Sequence, residues 1–368
     1  MKKKVLSILK VLLIVLVPLA VILTIIYLVF FNTTYFNTVT VSGRAVDNSY
    51  TNALSNNEQS MWSKLARIDD KLYYSYSPAS RIKPGTYEIS NNCTKRIYVG
   101  GTFLSPEVLN LDVVGDGKIL LNTKDGAVEY FDVQNGEYKP FTELKDDIAN
   151  DREYKSAFYI DGNQYWYCGD DPLGIYTSYD IYACENDKFN LYFSTDKIGE
   201  KNVSAPCFNG EYIYVVSYED NGNDSENYLY KYNAKSGAAE NKISISDAGN
   251  YITASDGKVY SMVYGDEGKN RLTVTDINAE NQKDIFNTDG STIVNGYGGL
   301  VCVGVYSDSD GKNGLYVING KTDELNQIYG EEVFGVYIVD DKWIYFTDEN
   351  EKLCRITPDG KTLEKVFG

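Results

Sequence analysis

Two arrangements of apolar residues divide the chain. The first is one unbroken apolar run, "VLLIVLVPLAVILTIIYLVFF", which extends from Val11 to Phe31 without a charged residue. The second fills most of the remaining sequence, where short apolar and aromatic segments alternate with turns of Asp, Gly, Asn and Lys. A helix of about 20 apolar residues crosses a bilayer core, whereas short segments bounded by turn residues are typical of β-strands. The pattern therefore predicts a transmembrane helix followed by an all-β domain.

The flanks of the apolar run predict its orientation. Four lysines precede the run and the next basic residue after it is Arg44. The positive-inside rule then predicts a cytoplasmic N-terminus and an extracellular C-terminal domain in a single-pass cell-membrane protein. A cleaved signal peptide is the alternative, but its apolar region is about 7–15 residues and ends at a small-residue cleavage site. The predicted divisions are a basic cytoplasmic tail (1–10), a transmembrane helix (11–31), a stalk or linker (32–61) and a β-propeller (62–368).

The propeller prediction comes from a turn pattern that repeats seven times. Its second turn residue falls at Asp70, Gly117, Gly162, Gly210, Gly257, Gly298 and Asp341, at intervals of 47, 45, 48, 47, 41 and 43 residues. A period in the forties with four strands per copy is the signature of β-propeller blades. The last copy shows its four strands as "FGVYIV", "WIYFTD", "KLCRIT" and "TLEKVF". We predict seven four-stranded blades, with six or eight as alternatives.

One further segment bears on how the ring closes. The sequence "YFNTVTVSG" at Tyr35–Gly43 has the composition of a strand. It would either pair with the last blade and close the ring, or form extended linker. We favour the linker, because the last blade already has four strands of its own.

The last copy also carries a family resemblance. "WIYFTDENEKLCRITPDGKTLEKVF" resembles the YWTD repeat of low-density-lipoprotein-receptor-type propellers, with Trp343–Asp348 where that tetrapeptide lies. It is also similar to an uncharacterised bacterial domain family, a domain of unknown function, grouped with those propellers. The resemblance is strong over the last copy and weaker over the other six. It implies a propeller with a role in extracellular binding and brings no catalytic residues, although YWTD propellers have six blades.

Composition narrows the function. The chain has no histidine, which excludes a Ser-His-Asp triad and His-ligated zinc. The formal net charge of −17 disfavours nucleic acid as a partner, because that partner needs a basic footprint. We therefore favour a binding module for an extracellular protein, peptide or cell-wall glycan. The alternative is a carboxylate-based glycoside hydrolase or lyase with its site at the propeller axis.

Acidic residues concentrate in the turns between the second and third strands of copies four to seven. These turns are expected to share one face of the ring, and they contain Asp220, Asp224, Glu226, Asp266, Glu267, Asp308, Asp310, Asp348 and Glu349. They predict a calcium site or a surface for a cationic partner, while the competing interpretation is that Asp, Asn and Gly simply form tight turns. Asp308 and Asp310 are the candidate calcium ligands, since Asp-Ser-Asp-Gly matches the opening of a calcium loop. Gly311 comes earlier than in an EF-hand, and no closing Glu follows in place.

Aromatic and cysteine residues complete the set of candidates. The recurring strand aromatics, such as Tyr73, Trp166 and Tyr345, are predicted to pack between blades. Aromatics outside the strands, Tyr176 and Tyr179, are better candidates for ligand contact. Among the six cysteines, Cys168 and Cys184 are the one pair that neighbouring strands make plausible for a disulfide; buried free thiols are the alternative. No C-x-x-C motif supports a zinc or redox site.

Overall fold

The computed structural model describes one N-terminal helix and the strands of a propeller. It covers residues 2–26, 34–35 and 64–368, apart from 78–82, 92, 101–106, 114–116, 124–127, 141–152, 161–162, 170–178, 186–187, 200–202, 204–205, 209–210, 221–224, 247–248, 250, 266–268, 298 and 340–341. Tyr176, Asp224, Asp266 and Glu267 fall outside the described residues.

The helix corresponds to the first part of the apolar run. It extends from Lys2 to Ile26 and contains Pro18. Its side chains are described from Ile14 onward, and all of them are exposed, with large apolar side chains between 40% and 71% accessible. Within the described residues, no helix combines the length and the apolar character needed to cross a membrane.

The strands form seven antiparallel sheets that follow each other along the chain. The first three blades comprise β2 (Leu65–Ile68), β3 (Lys71–Tyr76), β4 (Gly85–Ser90) and β5 (Cys93–Tyr98); β6 (Val108–Val113), β7 (Lys118–Thr123), β8 (Val128–Asp132) and β9 (Glu137–Pro140); and β10 (Glu153–Ile160), β11 (Asn163–Gly169), β12 (Tyr179–Glu185) and β13 (Lys188–Ser194). A short 3-10 helix, Thr195–Ile198, follows β13.

The remaining four blades have the same order of strands. They comprise β14 (Cys207–Phe208), β15 (Tyr212–Asp220), β16 (Ser225–Asn233) and β17 (Ala239–Ile245); β18 (Tyr251–Ser255), β19 (Lys258–Tyr264), β20 (Asn270–Asp276) and β21 (Asn281–Thr288); β22 (Ser291–Tyr297), β23 (Leu300–Tyr306), β24 (Gly314–Asn319) and β25 (Leu325–Tyr329); and β26 (Val333–Val339), β27 (Ile344–Asp348), β28 (Leu353–Ile356) and β29 (Leu363–Phe367).

The seven-bladed propeller predicted from the repeat is confirmed. Each of the seven markers falls between the first and second strands of a sheet, and the last blade has the four predicted strands. Blade number therefore differs from the six of the YWTD propellers. The repeat was readable because tight turns demand Gly or Asp at positive φ, as at Gly117, Gly257 and Asp69.

A second repeated turn joins the third and fourth strands. Asp132, Asn233, Asp276 and Asn319 each end a third strand and accept hydrogen bonds from the backbone N–H groups two and three residues later. The side-chain oxygen thereby takes the role of a backbone carbonyl as hydrogen-bond acceptor, and this fixes the turn. The last three lie 43 residues apart, so this position also reports the period.

Among the described residues, no strand from outside blade 7 joins its sheet to close the ring. The two-residue strand β1 (Thr34–Tyr35) pairs with β5, with Thr34 opposite Lys95 and Tyr35 opposite Thr94. It therefore adds a fifth strand to the outer edge of blade 1, and it does not pair with the last blade. Residues 36–43 of the segment interpreted as linker lie outside the described residues, so the linker interpretation stays a prediction.

The core lies between blades. Apolar clusters join blade 4 to 5, blade 5 to 6 and blade 6 to 7, and a larger one joins blades 1 to 4. Tyr73, Trp166 and Tyr345 are at most 1% exposed, which confirms the packing role of the strand aromatics. Tyr179 is the first residue of β12 and only 4% exposed, so its assignment to an irregular loop was wrong.

The seam between blades 7 and 1 is apolar and aromatic. Leu65, Tyr74 and Tyr87 of blade 1 pack against Trp343 and Tyr345 of blade 7. The Phe367 ring of β29 inserts among three blade 1 tyrosines, with centroid distances of 5.7, 5.1 and 4.5 Å to Tyr74, Tyr76 and Tyr87. Burial of these rings holds the first and last blades together.

Five cysteines form no disulfide in the described part of the chain: Cys93, Cys168, Cys207, Cys302 and Cys354. Cys168 is buried and unbridged, as are Cys207, Cys302 and Cys354. Strands β11 and β12 place Cys168 opposite Asp180 and Cys184 opposite Gln164, four positions apart. At about 3.4 Å per residue, that offset is close to 13 Å, beyond the reach of a disulfide.

Candidate binding face

The predicted acidic turns lie on one face of the ring. Because successive strands are antiparallel, the turns between second and third strands share this face with the connections between blades. In blades 5 to 7 this surface, here called the acidic face, carries Asp289, Asp308, Asp310, Glu331, Glu332 and Glu349. Three of these residues lie in the connections between blades and were not predicted from the sequence: Asp289, Glu331 and Glu332.

Asp308 forms the turn that follows β23. Its Oδ1 accepts the backbone N–H groups of Asp310 and Lys312 at 2.8 and 2.9 Å. Its Oδ2 accepts the Thr288 hydroxyl and the N–H groups of Asp289 and Gly290, at 3.2 and 3.4 Å for the latter two. The carboxylate therefore joins the turn of blade 6 to the connection from blade 5.

The ionised form of Asp308 is strongly favoured. The side chain is 7% exposed. Desolvation by burial raises its pKa, but the hydrogen bonds from Thr288, Lys312 and Asp289 outweigh that effect and lower the pKa to about 2. A carboxylate that accepts several N–H and O–H donors is stabilised in its charged form.

Two connections hold this turn from both sides. Asp289 accepts the backbone N–H of Ser309 at 2.9 Å, and it also accepts the Ser309 hydroxyl. Glu332, in the connection to blade 7, accepts the backbone N–H of Ser307 at 2.9 Å. The turn is consequently a rigid element between blades 5 and 7.

Asp348 repeats the same turn in blade 7. Its Oδ1 accepts the N–H groups of Asn350 and Lys352 at 2.9 Å each. Asp308 and Asp348 thus act as turn-forming side chains, as the competing interpretation of the acidic turns proposes. Asp310 and Glu349 lie beside them and are exposed, which leaves their carboxylates on the surface.

No metal centre is apparent within the described residues. There, no three Asp, Glu or Cys side chains gather in a way that would hold a metal ion. The donors around Asp308 are N–H and O–H groups, which occupy the lone pairs that calcium would use. Calcium binding by Asp308 and Asp310 stays a prediction.

An aromatic pair lies beside the acidic residues. Tyr306 ends β23 and Phe334 lies in β26, and their ring centroids are 4.8 Å apart. Phe334 is 39% exposed, and Tyr264, at the corresponding end of β19, is 49% exposed. Exposed rings flanked by carboxylates suit a cationic side chain, which gains both ionic and cation–π attraction.

A different polar cluster lies on the opposite face between blades 5 and 6. Asp323, in the turn after β24, accepts Lys258 and Tyr260 at 2.8 and 3.1 Å through Oδ1. Its Oδ2 lies 2.9 Å from Lys283 Nζ. Desolvation opposes ionisation, but hydrogen bonds from Lys258, Lys283 and Tyr260 lower the pKa of Asp323 overall. We call these four residues the Asp323 cluster.

A cleft of about 300 Å³ opens beside the Asp323 cluster. Its lining residues are Lys258, Val274, Asp276, Asn281, Gln282, Lys283 and Asp323. Three of them belong to β21, the outer strand of blade 5, so the cleft lies away from the propeller axis. The hydrolase hypothesis, which needs paired carboxylates at the axis, stays a prediction.

Comparison with known proteins shows the class of fold. No protein-family model and no curated sequence match the chain. The β-propeller domain of the Trilobed protease from Pyrococcus furiosus, which has an open velcro topology, is 14% identical over 92% of this chain and 99% of that chain, with a TM-score of 0.52. A seven-bladed β-propeller is therefore the class to which the chain belongs by fold.

Two hydrolases give the same result over part of their length. Puromycin hydrolase is 10% identical over 91% of this chain and 57% of that chain, with a TM-score of 0.54. A puromycin-hydrolyzing peptidase of Mycobacterium tuberculosis is 10% identical over 90% and 57%, with a TM-score of 0.50. The chain thus spans little more than half of these proteins, and at such identities the likeness concerns the fold alone.

Proposed function

We propose that the chain is a membrane-anchored binding module whose acidic face recognises a basic segment of an extracellular protein or peptide. The carrying observation is the Tyr306–Phe334 ring pair, in which Phe334 is exposed, on the face that also carries the exposed Asp310 and Glu331. The strongly negative formal charge of −17 favours approach of a cationic partner by long-range attraction. The carboxylates on the same face as these rings favour a cationic segment over a neutral glycan.

Membrane anchoring is the second part of the proposal. The described side chains of the helix, Ile14–Ile26, are apolar all round apart from Thr24, and none of them is buried against the propeller. Exposed apolar surface of this kind calls for a non-aqueous environment. The uncharged run from Val11 to Phe31 and the lysines before it favour a bilayer, with the propeller outside the cell.

Kinship with YWTD propellers is part of the same proposal. It rests on the residues of the last blade, Trp343–Asp348, and on the buried aromatics they supply. A relationship to YWTD propellers would imply a role in extracellular binding.

The binding proposal is tested with a fluorescent lysine- and arginine-rich peptide and the full chain in neutral-lipid nanodiscs. We expect the combined variant Asp310→Asn, Glu331→Gln, Phe334→Ala to weaken binding at least tenfold, measured by fluorescence anisotropy. Glu280→Gln, an exposed carboxylate on the opposite face, is the matched control and should stay within twofold. Equal affinity of the combined variant and the control would rule out the acidic face as the site.

Anchoring is tested separately in intact cells. Protease added from outside should remove the propeller, and the helix should stay with the membrane fraction after carbonate washing. Full protection of the propeller from the protease would overturn the proposed orientation.

A further inference from the structure

Blade 1 differs in charge from the rest of the propeller. Residues 62–100 include seven basic and three acidic side chains, whereas residues 101–368 include 23 basic and 47 acidic ones. The balance is +4 for blade 1 and −24 for the other six blades. Such an asymmetry gives the ring a positive sector within a negative surface.

The described basic residues of blade 1 are spread over its sheet: Lys95 and Arg96 lie on the outer strand, Lys64 and Lys83 at one end, Arg67 is buried on β2, and Lys71 lies at the other end, 3.4 Å from Glu88. Lys95 is exposed on β5, the outer strand. Lys64 and Lys83, both half-buried, lie just before β2 and β4, two strands that begin on the same face of the ring. The acidic pair Asp69 and Asp70 lies in the turn at the other end of the sheet.

A buried arginine adds to this positive sector. Arg96 is 3% exposed on β5, and it donates one hydrogen bond, from Nη1 to the carbonyl oxygen of Pro84 at 3.5 Å. Among the described residues, its Nε and Nη2 have no hydrogen-bond partner and no carboxylate forms an ion pair with it. The guanidinium therefore adds positive charge to the outer strand of the blade.

The same outer edge is held close to the helix. Strand β1 begins eight positions after Ile26, where the helix ends, and pairs directly with β5 at Lys95 and Thr94. Eight steps of fully extended chain span at most about 28 Å. Thr34 therefore stays within that distance of the helix end, and Lys95 lies opposite it, about 5 Å across the strand pair.

We propose that the outer part of blade 1, with Lys83 before β4 and Lys95 on β5, rests on the anionic headgroups of the bilayer that holds the helix. The inference rests on the anchoring part of the proposed function. Anionic lipids attract basic residues within about a Debye length, and the same field repels the acidic blades. The propeller then lies with blade 1 towards the membrane and blades 4 and 5 away from it.

Lysine footprinting on the reconstituted full chain tests the orientation. The chain is placed in phosphatidylcholine vesicles and in vesicles with 30% phosphatidylglycerol, and acetylation rates are read by mass spectrometry. We expect Lys83 and Lys95 to react at least threefold more slowly in the anionic vesicles. The protection should disappear in 0.5 M NaCl. Lys235 and Lys361, exposed on blades 4 and 7, are the controls and should react equally in both vesicles.

The outcomes separate this inference from the anchor. Equal reactivity of Lys83 and Lys95 in both vesicles, with the chain firmly in the membrane fraction, would overturn the inference and leave the anchor intact. Recovery of the chain in the aqueous fraction from neutral vesicles would overturn the anchor. In that case, lipid contact by blade 1 is supported only if the wild type still co-sediments with anionic vesicles and the Lys83→Glu/Lys95→Glu variant does not.

An acidic protein partner is the remaining outcome. Protection of the same lysines by polyglutamate in neutral vesicles, with none from phosphatidylglycerol, would replace the lipid by an acidic polypeptide. Lys95 is exposed and Lys83 is half-buried, so circular dichroism first checks that the Lys83→Glu/Lys95→Glu variant folds as the wild type does. Lys95→Glu alone is the fallback variant, and Lys235→Glu/Lys361→Glu is the charge-matched control of the double variant.

Discussion

The seam between blades 7 and 1 and the junction between blades 5 and 6 hold their blades by different means. At the seam, Phe367 packs among the three blade 1 tyrosines, and the contacts are mainly aromatic. At the junction, an apolar cluster is supplemented by carboxylates that join the blades on both faces, Asp308 on one and Asp323 on the other. A short connection already aligns blades 5 and 6, so directional hydrogen bonds can form between them. No described strand crosses the seam, which therefore depends more on the non-directional burial of apolar rings.

The largest expected effect comes from the seam. Phe367→Ala should lower the free energy of unfolding by about 3 kcal/mol, since a partly buried ring is lost together with its edge contacts. Urea unfolding followed by circular dichroism measures the change. Phe334→Ala, which removes an exposed ring, is the control and should cost under about 1 kcal/mol. Equal midpoints for the two variants would show that the seam does not depend on this ring.

At the junction, Asp308→Asn should cost about 2 kcal/mol at neutral pH, because charge-assisted hydrogen bonds to buried groups are lost. The pKa of Asp308 is lowered from 3.8 to about 2 in the folded protein, so its stabilisation is complete above pH 4 and is lost as the pH falls towards 2. The difference between wild type and variant should shrink over that range in urea melts. A difference that grows on acidification would contradict the assigned ionisation.

Asp323→Asn should have a smaller effect, about 1 kcal/mol, because Lys283 is 57% exposed and solvent screens its contribution. Asparagine tolerates the positive φ of 58° at this position, so the backbone is preserved. A double-mutant cycle with Lys258→Met isolates the ion pair. Its coupling should fall in 1 M NaCl, where the Phe367→Ala effect should not.

The smallest effect is expected at Asp310. Asp310→Asn should change stability by less than about 0.5 kcal/mol, since its side chain is exposed and the turn is fixed by Asp308. Thermal melting with and without a chelator in millimolar calcium provides a second measurement on this residue. A midpoint shift that Asp310→Asn abolishes would support the calcium hypothesis, and the absence of a wild-type shift would remove it.

Local turn chemistry explains what the sequence predicted well. Gly257, Asp69 and their counterparts are needed wherever the chain reverses at positive φ, so the blades could be counted from their spacing. Contacts between residues of different blades leave no such pattern in the sequence. Asp289 and Glu332 lie far from Asp308 in sequence terms and meet its turn only because the sheets are arranged radially.

The errors have a related cause. Tyr179 follows a long excursion and was placed in a loop, but it begins a buried strand because inter-blade packing continues to the strand end. Cys168 and Cys184 do lie on neighbouring strands, but the register separates them, and register is set by turn geometry that the excursion concealed.

The pairing of β1 with β5 has a mechanical consequence. A pull on the helix reaches blade 1 through two residue pairs, Thr34–Lys95 and Tyr35–Thr94, before it reaches β2. Thirty steps of chain separate Tyr35 from Leu65, so once those pairs separate the two residues can be at most about 105 Å apart while every blade stays folded. The short strand β1 would then be the first element to detach under force, and force spectroscopy would record this as a low-force lengthening before any blade unfolds.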